Sequence, residues 1–338
     1  MIQNTEVRKN NMGGFRLSER RNLINVLFCL FAIFQSGLRD INSLPDGNDT
    51  PNYLSRFNEL LKTPWSAIFK YFSVYNADYD ERDQGYFIFT KLYQVFSDNF
   101  TGFMFVTAIV FIVPLGVMIN KYVKSSIGTI LSFIIYFALF SNIVDCLMRQ
   151  AISLAVILIA IKYILSRNWL KYFGLVFIAF TIHSSAAIAV PFYFLPKFCL
   201  SRKWLLLSII ASPFLILSSK FFLSHFVGSV YEKYINDEGF GVITLFLLLL
   251  MVSIASYLYF NKIKLVKDYE LLISGAIGSM LMSPFIYMGG TLARISYYYI
   301  LIIVPLIPVI FDNAINNKSR RAILYICSIG FFLFFICR

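Results

Sequence analysis

The sequence predicts an all-α protein that crosses a membrane many times, and three observations support this. Of the 338 residues, 58% are hydrophobic and only 14% are charged, whereas soluble domains carry about 25% charged residues. The apolar residues form continuous runs that approach the ~20 residues of a spanning helix. The runs lack the regular alternation of a transmembrane barrel, and helices satisfy their own backbone hydrogen bonds in lipid. We therefore predict a polytopic transmembrane helical protein with roughly ten or eleven membrane segments.

The basic residues indicate how the chain is oriented. Lys and Arg outnumber Asp and Glu by 30 to 18, and they cluster in short turns between apolar runs. That distribution is typical of residues that fix topology on the cytoplasmic side, rather than of a surface for nucleic acid. It predicts a cytoplasmic N-terminal tail over residues 1–21 and a single transmembrane domain over residues 22–338.

The apolar runs and basic turns together define the membrane segments. The predicted full spans are 22–38, 102–119, 127–144, 149–165, 204–223, 241–260, 270–288, 295–311 and 322–337. An acid-rich outer loop over residues 39–100 separates the first two spans. Within this loop, segment 86–96 is apolar but reaches only about 16 Å as a helix, half of a ~30 Å hydrocarbon core. It is predicted to be an interfacial or re-entrant helix.

Two shorter runs, 172–182 and 184–195, are predicted to form a half-length helical hairpin. Read as one spanning helix, they would place the next basic cluster and every later one on the outer side. Two half-length helices keep those clusters inside. His183 then lies at the tip of the hairpin and faces the outer side.

Several charged and polar side chains fall at the outer ends of the predicted spans. They include Arg39, Asp49, Asp83, Arg149, Gln150, His183 and Arg294. Ionisable residues are costly in membrane segments and are therefore functional candidates. Arg149 opens a span, where free backbone N–H groups and a guanidinium together suit a phosphate group. The alternatives are an arginine that reaches the lipid headgroups or one that pairs with Asp145.

His183 is followed by Ser184 and Ser185, and a neutral imidazole there could act as a general base or orient a hydroxyl. A structural histidine bonded to a neighbouring helix is the alternative. Residues 78–80 read Asp-Tyr-Asp and look like the metal-binding Asp-x-Asp of nucleotide-sugar transferases. The match is short and lies in an acid-rich loop, so no metal site is predicted.

Five short motifs follow one another along the chain. They are Arg39 followed by Gly47-Asn48-Asp49-Thr50-Pro51-Asn52-Tyr53, then Asp83-Gln84-Gly85-Tyr86, Met148-Arg149-Gln150, His183-Ser184-Ser185-Ala186 and Ala293-Arg294-Ile295. Their order and spacing resemble those of the EpsG/Wzy-like polysaccharide polymerases of bacterial capsule, exopolysaccharide and O-antigen assembly. The second motif departs from the family's Glu-Pro-Gly-Tyr, because Asp83 and Gln84 replace Glu and Pro. The likeness covers most of the chain from Asn22 onward.

The resemblance implies a glycosyltransferase at the outer face of the bacterial inner membrane. It would transfer a glycan from undecaprenyl pyrophosphate to the non-reducing end of another lipid-linked repeat unit. Neither a nucleotide sugar nor a redox cofactor would be needed. The implied partners are the lipid-linked oligosaccharide, membrane lipid, a flippase and a chain-length regulator, with no nucleic acid.

This reaction assigns expected roles to the candidate residues. Asp49 and His183 are the candidates for the base that activates the acceptor hydroxyl, and Asp49 is preferred. Arg39, Arg149 and Arg294 would bind the pyrophosphate and stabilise its developing charge. The other predicted substrate-binding residues are Tyr53, Asp83, Gln150 and Ser184.

Two other functions fit part of the pattern. A flippase for lipid-linked sugars also needs a cationic cavity and broken helices, but its polar groups should run through the membrane depth. Here the spans are nearly free of charge between their ends. A membrane O-acyltransferase could use His183, but it needs a route for a cytoplasmic acyl donor, and no catalytic group is predicted at the inner face.

Overall fold

The computed structural model describes residues 2–41, 49–73, 83–198, 202–226, 240–263, 269–288 and 290–336. Within these ranges the regular structure is entirely helical, which confirms the predicted all-α class. The α-helices are α1 Ile2–Gly37, α2 Thr50–Lys62, α3 Trp65–Ser73, α4 Gln84–Gln94, α5 Phe100–Tyr122, α6 Ser126–Leu139, α7 Ser141–Cys146, α8 Met148–Ala160, α9 Lys162–Leu165, α10 Trp169–Ile182, α11 Leu195–Phe198, α12 Arg202–Phe226, α13 Phe240–Ile263, α14 Glu270–Leu281, α15 Ser283–Met288, α16 Gly290–Ala293, α17 Tyr297–Ile300, α18 Ile303–Ala314 and α19 Lys318–Ile336. Two 3-10 helices, Ser184–Tyr193 and Arg294–Ser296, complete the set.

Several of these helices have the length and composition of membrane spans. In the described part of the chain, three stretches are long and apolar enough to cross a bilayer: Phe100–Tyr122, Met148–Leu165 and Arg294–Asn313. Shorter apolar helices of 10–17 residues accompany them. Large apolar side chains on the outside, such as Phe31 and Phe214, are exposed, as expected where lipid is the solvent. The protein is therefore an all-α polytopic membrane protein.

Some predicted spans differ in detail from the helices observed. The predicted tail and first span form one continuous helix, α1, whose Phe34 packs edge-on against Phe105 of α5 at 5.7 Å between ring centroids. The predicted span 127–144 is broken at Phe140 into α6 and α7. The predicted span 270–288 is broken at Met282, two residues before Pro284, because a proline lacks the backbone N–H that a helix interior requires and is tolerated only in the first turn, as in α15.

The predicted outer loop is largely helical where the structure describes it. Its third helix, α4, coincides with the predicted apolar segment 86–96 to within two residues at either end, so that segment is helical as predicted. Helix α2 is amphipathic, since Tyr53, Phe57 and Leu60 lie three and four residues apart and are all buried. They pack over the start of α5, where the ring of Phe57 lies 5.4 Å from that of Phe103. The loop thus forms a lid of short helices over one end of the bundle.

The half-length hairpin is confirmed. Helix α10 ends at Ile182, His183 is extended with φ −154° and ψ 118°, and the 3-10 helix then runs back along α10. Tyr172 near the start of α10 donates its hydroxyl to the carbonyl of Ala189 at 2.7 Å and packs on Tyr193 with ring centroids 5.3 Å apart. These contacts join the two open ends of the hairpin, so His183 lies at its tip.

Candidate active site

Asp83 is the centre of a polar cluster at one end of the bundle. It immediately precedes α4, and its side chain is only 5% exposed. Its Oδ2 lies 3.0 Å from Nη1 of Arg149 and 3.0 Å from Nδ1 of His183. The backbone N–H of Ser184 donates to Oδ1 at 3.3 Å. One carboxylate thus gathers three predicted site residues from the first turn of α8 and the hairpin tip.

Gly85 allows this gathering because its backbone lies directly against the end of α10. A Cβ at this position would lie 2.5 Å from Oγ1 of Thr181, 2.8 Å from its carbonyl carbon and 2.9 Å from the nitrogen of Ile182. No side chain fits at these distances, since optimal carbon contacts are about 3.5–4.0 Å. The absence of a side chain therefore sets how closely Asp83 approaches the hairpin tip.

The contact with Asp83 determines which nitrogen of His183 is available. In a neutral imidazole, the Nδ1–H donates to the carboxylate, so Nε2 carries the lone pair. The side chain of His183 is 27% exposed, whereas that of Asp83 is buried. A buried carboxylate that orients a partly exposed imidazole is the arrangement by which a histidine is prepared to accept a proton.

Arg149 lies in the first turn of α8, as the sequence predicts for a residue that opens a span. Its guanidinium also lies over the ring of Tyr53, with 5.6 Å from Cζ to the ring centroid. Burial raises the pKa of the Tyr53 hydroxyl, and the neighbouring positive charge of Arg149 lowers it. The alternative pairing of Arg149 with Asp145 is not observed, because Asp83 holds Arg149 and Ser36 donates to Oδ1 of Asp145.

A second ion pair lies beside the first. Nη1 of Arg294 is 3.5 Å from Oδ2 of Asp49, and both side chains are about one-third exposed. Gln150 is buried and donates its Nε2–H to the backbone carbonyl of Arg294 at 2.6 Å. Successive residues on a helix point about 100° apart, so Arg149 contacts the Asp83 cluster while Gln150 ties down the Arg294 segment.

Arg39 belongs to an adjoining buried network rather than to the Asp83 cluster. Its Nη1 donates to the carbonyl of Ser36, whose hydroxyl donates to Asp145. Burial lowers the pKa of Arg39, and the charge of Asp145 raises it. Thr50 donates its hydroxyl to the carbonyl of Asp145 at 2.7 Å, which fastens the start of α2 to this network.

Cys146 interacts electrostatically with both groups of charges. Burial raises the pKa of its thiol, and the charge of Asp145 raises it further. The positive charges of Arg39 and Arg294 lower the same pKa. The network around Arg39 and the Arg294–Asp49 pair are neighbours, because Thr50, which follows Asp49, is bonded to Asp145. The predicted site residues therefore share one end of the bundle.

The sequence did not single out Tyr298, which lies beneath the site. Its buried hydroxyl is 3.0 Å from the hydroxyl of Ser153 and 3.1 Å from that of Ser185. Ser153 also donates to the carbonyl of Ala179 in α10. The only signal for Tyr298 was a run of three tyrosines soon after Arg294, and apolar packing explains such a run equally well.

The geometry and the sequence comparison point to the same kind of protein. The model of the EpsG family matches residues 22–338, nearly the whole chain. The chain belongs to the EpsG family. EpsG proteins are Wzy-like polymerases, so the suspected resemblance is confirmed, and this chain is a membrane polymerase of surface polysaccharide. No curated protein and no solved structure matches it.

Two of the sequence motifs lie wholly or partly outside the residues that the structure describes. These are Gly47 and Asn48 before Asp49, and the Asp-Tyr-Asp sequence at residues 78–80. Asp49, Asp83 and the site residues around them all lie within the described part of the chain.

Proposed function

We propose that this EpsG protein joins lipid-linked oligosaccharide repeat units at the outer face of the bacterial inner membrane. The donor is a glycan on undecaprenyl pyrophosphate, and the acceptor is the non-reducing end of another lipid-linked repeat. The observation that carries this proposal is the Asp83 carboxylate, which holds a histidine and an arginine together beside the Arg294–Asp49 ion pair. This arrangement provides a base and cations for a phosphate leaving group within one cluster.

The reaction exchanges one carbon–oxygen bond for another. The acceptor hydroxyl oxygen forms a bond to the anomeric carbon of the donor, and the bond from that carbon to the pyrophosphate oxygen breaks. The electron pair of the broken bond leaves with undecaprenyl pyrophosphate. The hydroxyl proton passes to Nε2 of His183, and Asp83 stabilises the imidazolium that forms.

The arginines suit the leaving group. Arg149 and Arg294 each have a side chain that is 31% exposed, so a substrate phosphate can reach both. A guanidinium binds phosphate oxygens with two parallel hydrogen bonds and stabilises negative charge as it develops. Arg39 is also partly buried, and it adds positive charge from the adjoining network.

The remaining site residues are of two kinds, those with buried side chains and those with exposed side chains. Tyr53 and Gln150 are buried, and they position Arg149 and Arg294 by the contacts described above. Ser184 is exposed beside His183, where its hydroxyl can bond a substrate sugar. Asp49 is already paired with Arg294. We therefore favour His183 over Asp49 as the base, which reverses the preference drawn from sequence.

Comparison of His183→Gln and Asp49→Asn tests this proposal. In a strain that lacks the chromosomal copy, each variant is assayed for membrane abundance and for the length of its lipid-linked glycans. At normal abundance, His183→Gln should leave single-repeat product, since general base catalysis is worth about 10²–10⁴-fold. Asp49→Asn should retain more polymer. Normal chains in His183→Gln would refute the assignment of the base, and repeats trapped on the inner side of the membrane would indicate a flippase.

A further inference from the structure

A cavity lies at the far ends of two helices that begin at the active site. Helix α2 follows Asp49 and α4 follows Asp83, and both helices end at an open cavity of about 380 Å³. Trp65, Lys91 and Gln94 contribute to its lining. Its volume falls within the ~300–1,000 Å³ range of small-molecule sites, and the reaction described above does not use it.

The cavity has a fixed position relative to the active site because α2 and α4 are packed along their length. The rings of Tyr53 and Tyr86 lie 5.8 Å apart near the site. At the cavity end, Gln94 donates its Nε2–H to the carbonyl of Phe57 at 2.7 Å. At 1.5 Å per residue, Gln94 lies about 16 Å along α4 from Asp83. A chain of a few sugars can span that distance.

The lining combines an aromatic ring with unused hydrogen-bond donors. Lys91 donates to the carbonyls of Leu60 at 2.6 Å and Leu61 at 3.4 Å. An ammonium has three N–H donors and an amide has two, so these bonds leave one donor on Lys91 and one on Gln94. Trp65 is partly exposed beside them. Such a site offers a flat apolar surface and donors for hydroxyl oxygens.

A saccharide fits this lining better than a lipid tail or a cation. An acyl or prenyl chain would leave the N–H donors of Lys91 and Gln94 without an acceptor, which is unfavourable. The lining contains no carboxylate and carries the positive charge of Lys62 and Lys91, which disfavours a cation. A sugar ring presents C–H groups to an aromatic ring and hydroxyl oxygens to N–H donors.

We propose that this cavity is a glycan subsite that binds a sugar of the lipid-linked chain away from the reacting bond, by stacking on Trp65 and bonding to Lys91 and Gln94. This proposal rests on the polymerase function proposed above. The bound saccharide belongs to the growing chain or to the incoming repeat, which have the same chemistry. In either case the subsite holds a glycan aligned between the cavity and Asp83.

The first experiment measures binding directly. Oligosaccharides of one and several repeats are released from the surface polysaccharide of the producing strain, labelled at the reducing end, and titrated against the purified full-length protein by fluorescence anisotropy. Trp65→Ala should weaken binding about tenfold, since loss of an aromatic contact costs about a factor of ten in affinity. Leu92→Ala is the matched control, because Leu92 is an exposed apolar side chain of α4, next to Lys91, and does not line the cavity.

The second experiment measures product length in cells. Trp65→Ala should shorten the glycans, whereas Leu92→Ala should leave them unchanged. If the subsite holds the growing chain, two single repeats still join at the normal rate and only long chains are lost. If it holds the incoming repeat, the first joining also slows.

The outcomes separate this proposal from the polymerase function. Unchanged binding and chain length in Trp65→Ala, with polymerisation still lost in His183→Gln, would overturn the subsite and leave the reaction standing. Normal polymerisation in His183→Gln would instead count against the proposed chemistry. A loss of binding in Trp65→Ala and Leu92→Ala alike would indicate general damage to the helices around the cavity and would also overturn the subsite.

Discussion

The close approach of Gly85 to the hairpin makes Gly85→Ala the sharpest test of the site. The new methyl group would lie 2.8 Å from the carbonyl carbon of Thr181 and 2.9 Å from the nitrogen of Ile182. Restoring contacts of about 3.5–4.0 Å moves the start of α4 by roughly 1 Å. The distances of 3.0 Å from Asp83 to His183 and Arg149 would then exceed hydrogen-bond range.

A displacement of about 1 Å at a catalytic group can cost on the order of 100-fold in rate. We therefore expect Gly85→Ala to lower the rate of polymerisation by about that factor, measured from the glycan lengths that accumulate after a pulse of labelled precursor. Overpacking should destabilise the protein by about 1–3 kcal/mol, so membrane abundance is measured in parallel. The helix itself should not suffer, because alanine is a better helix former than glycine.

Gly174→Ala provides the matched control. Gly174 lies in α10, the same helix that Gly85 contacts, and nothing lies within 4 Å of a Cβ built there. This variant should polymerise normally. Thr181→Ala should not rescue Gly85→Ala, because backbone atoms as well as the threonine hydroxyl block the methyl group. Normal chain lengths at normal abundance in Gly85→Ala would refute the reasoning that Asp83 must hold His183 and Arg149 in place.

Three further predictions address the leaving group, the far end of the bundle and the topology. Arg149→Lys should lose most long-chain glycan, because a point charge does not reproduce the planar fork on pyrophosphate; substantial long chains on a glycan gel would argue against bidentate binding. At the other end of the bundle, Asp312 accepts hydrogen bonds from Ser125 at 2.6 Å and from Tyr325 at 2.9 Å. Asp312→Asn should therefore lower the free energy of unfolding by about 1–3 kcal/mol, measured by thermal denaturation. The rate of polymerisation per folded molecule should stay normal. Phe96 is 88% exposed in the predicted outer loop. A cysteine in its place, in a background without the native cysteines, should therefore react with an impermeant reagent in intact cells. Labelling only after the inner face is opened would contradict the proposed orientation.

Two features could be predicted from the sequence: the all-α membrane class of the protein and the reversal of the chain at His183. The apolar runs predicted helices, because only helices and closed barrels satisfy the hydrogen bonds of the backbone within a bilayer. The basic residues after residue 195 remain on the inner side only if residues 172–195 form a hairpin. The chain does reverse at His183. The order of the short motifs also indicated the EpsG family, which the match over residues 22–338 confirms.

The sequence listed the residues of the site but not their pairing. It gave Asp83 to substrate binding and preferred Asp49 as the base, whereas the structure places Asp83 against His183 and Asp49 against Arg294. It also missed helices α2 and α3, since their apolar residues are too few to mark a span.

The sequence by itself determined the membrane class, the family and the set of charged residues near the ends of the spans. Hydropathy and charge order are properties of the chain and can be read along it. Only the tertiary structure decided that Asp83 is the shared partner of Arg149 and His183, which lie 66 and 100 residues away in sequence. That choice depends on how far α4 can approach α10, which is set by a space of about 1 Å at Gly85 that a side chain would fill. Contacts between distant segments arise from packing, and no local pattern in the sequence encodes them.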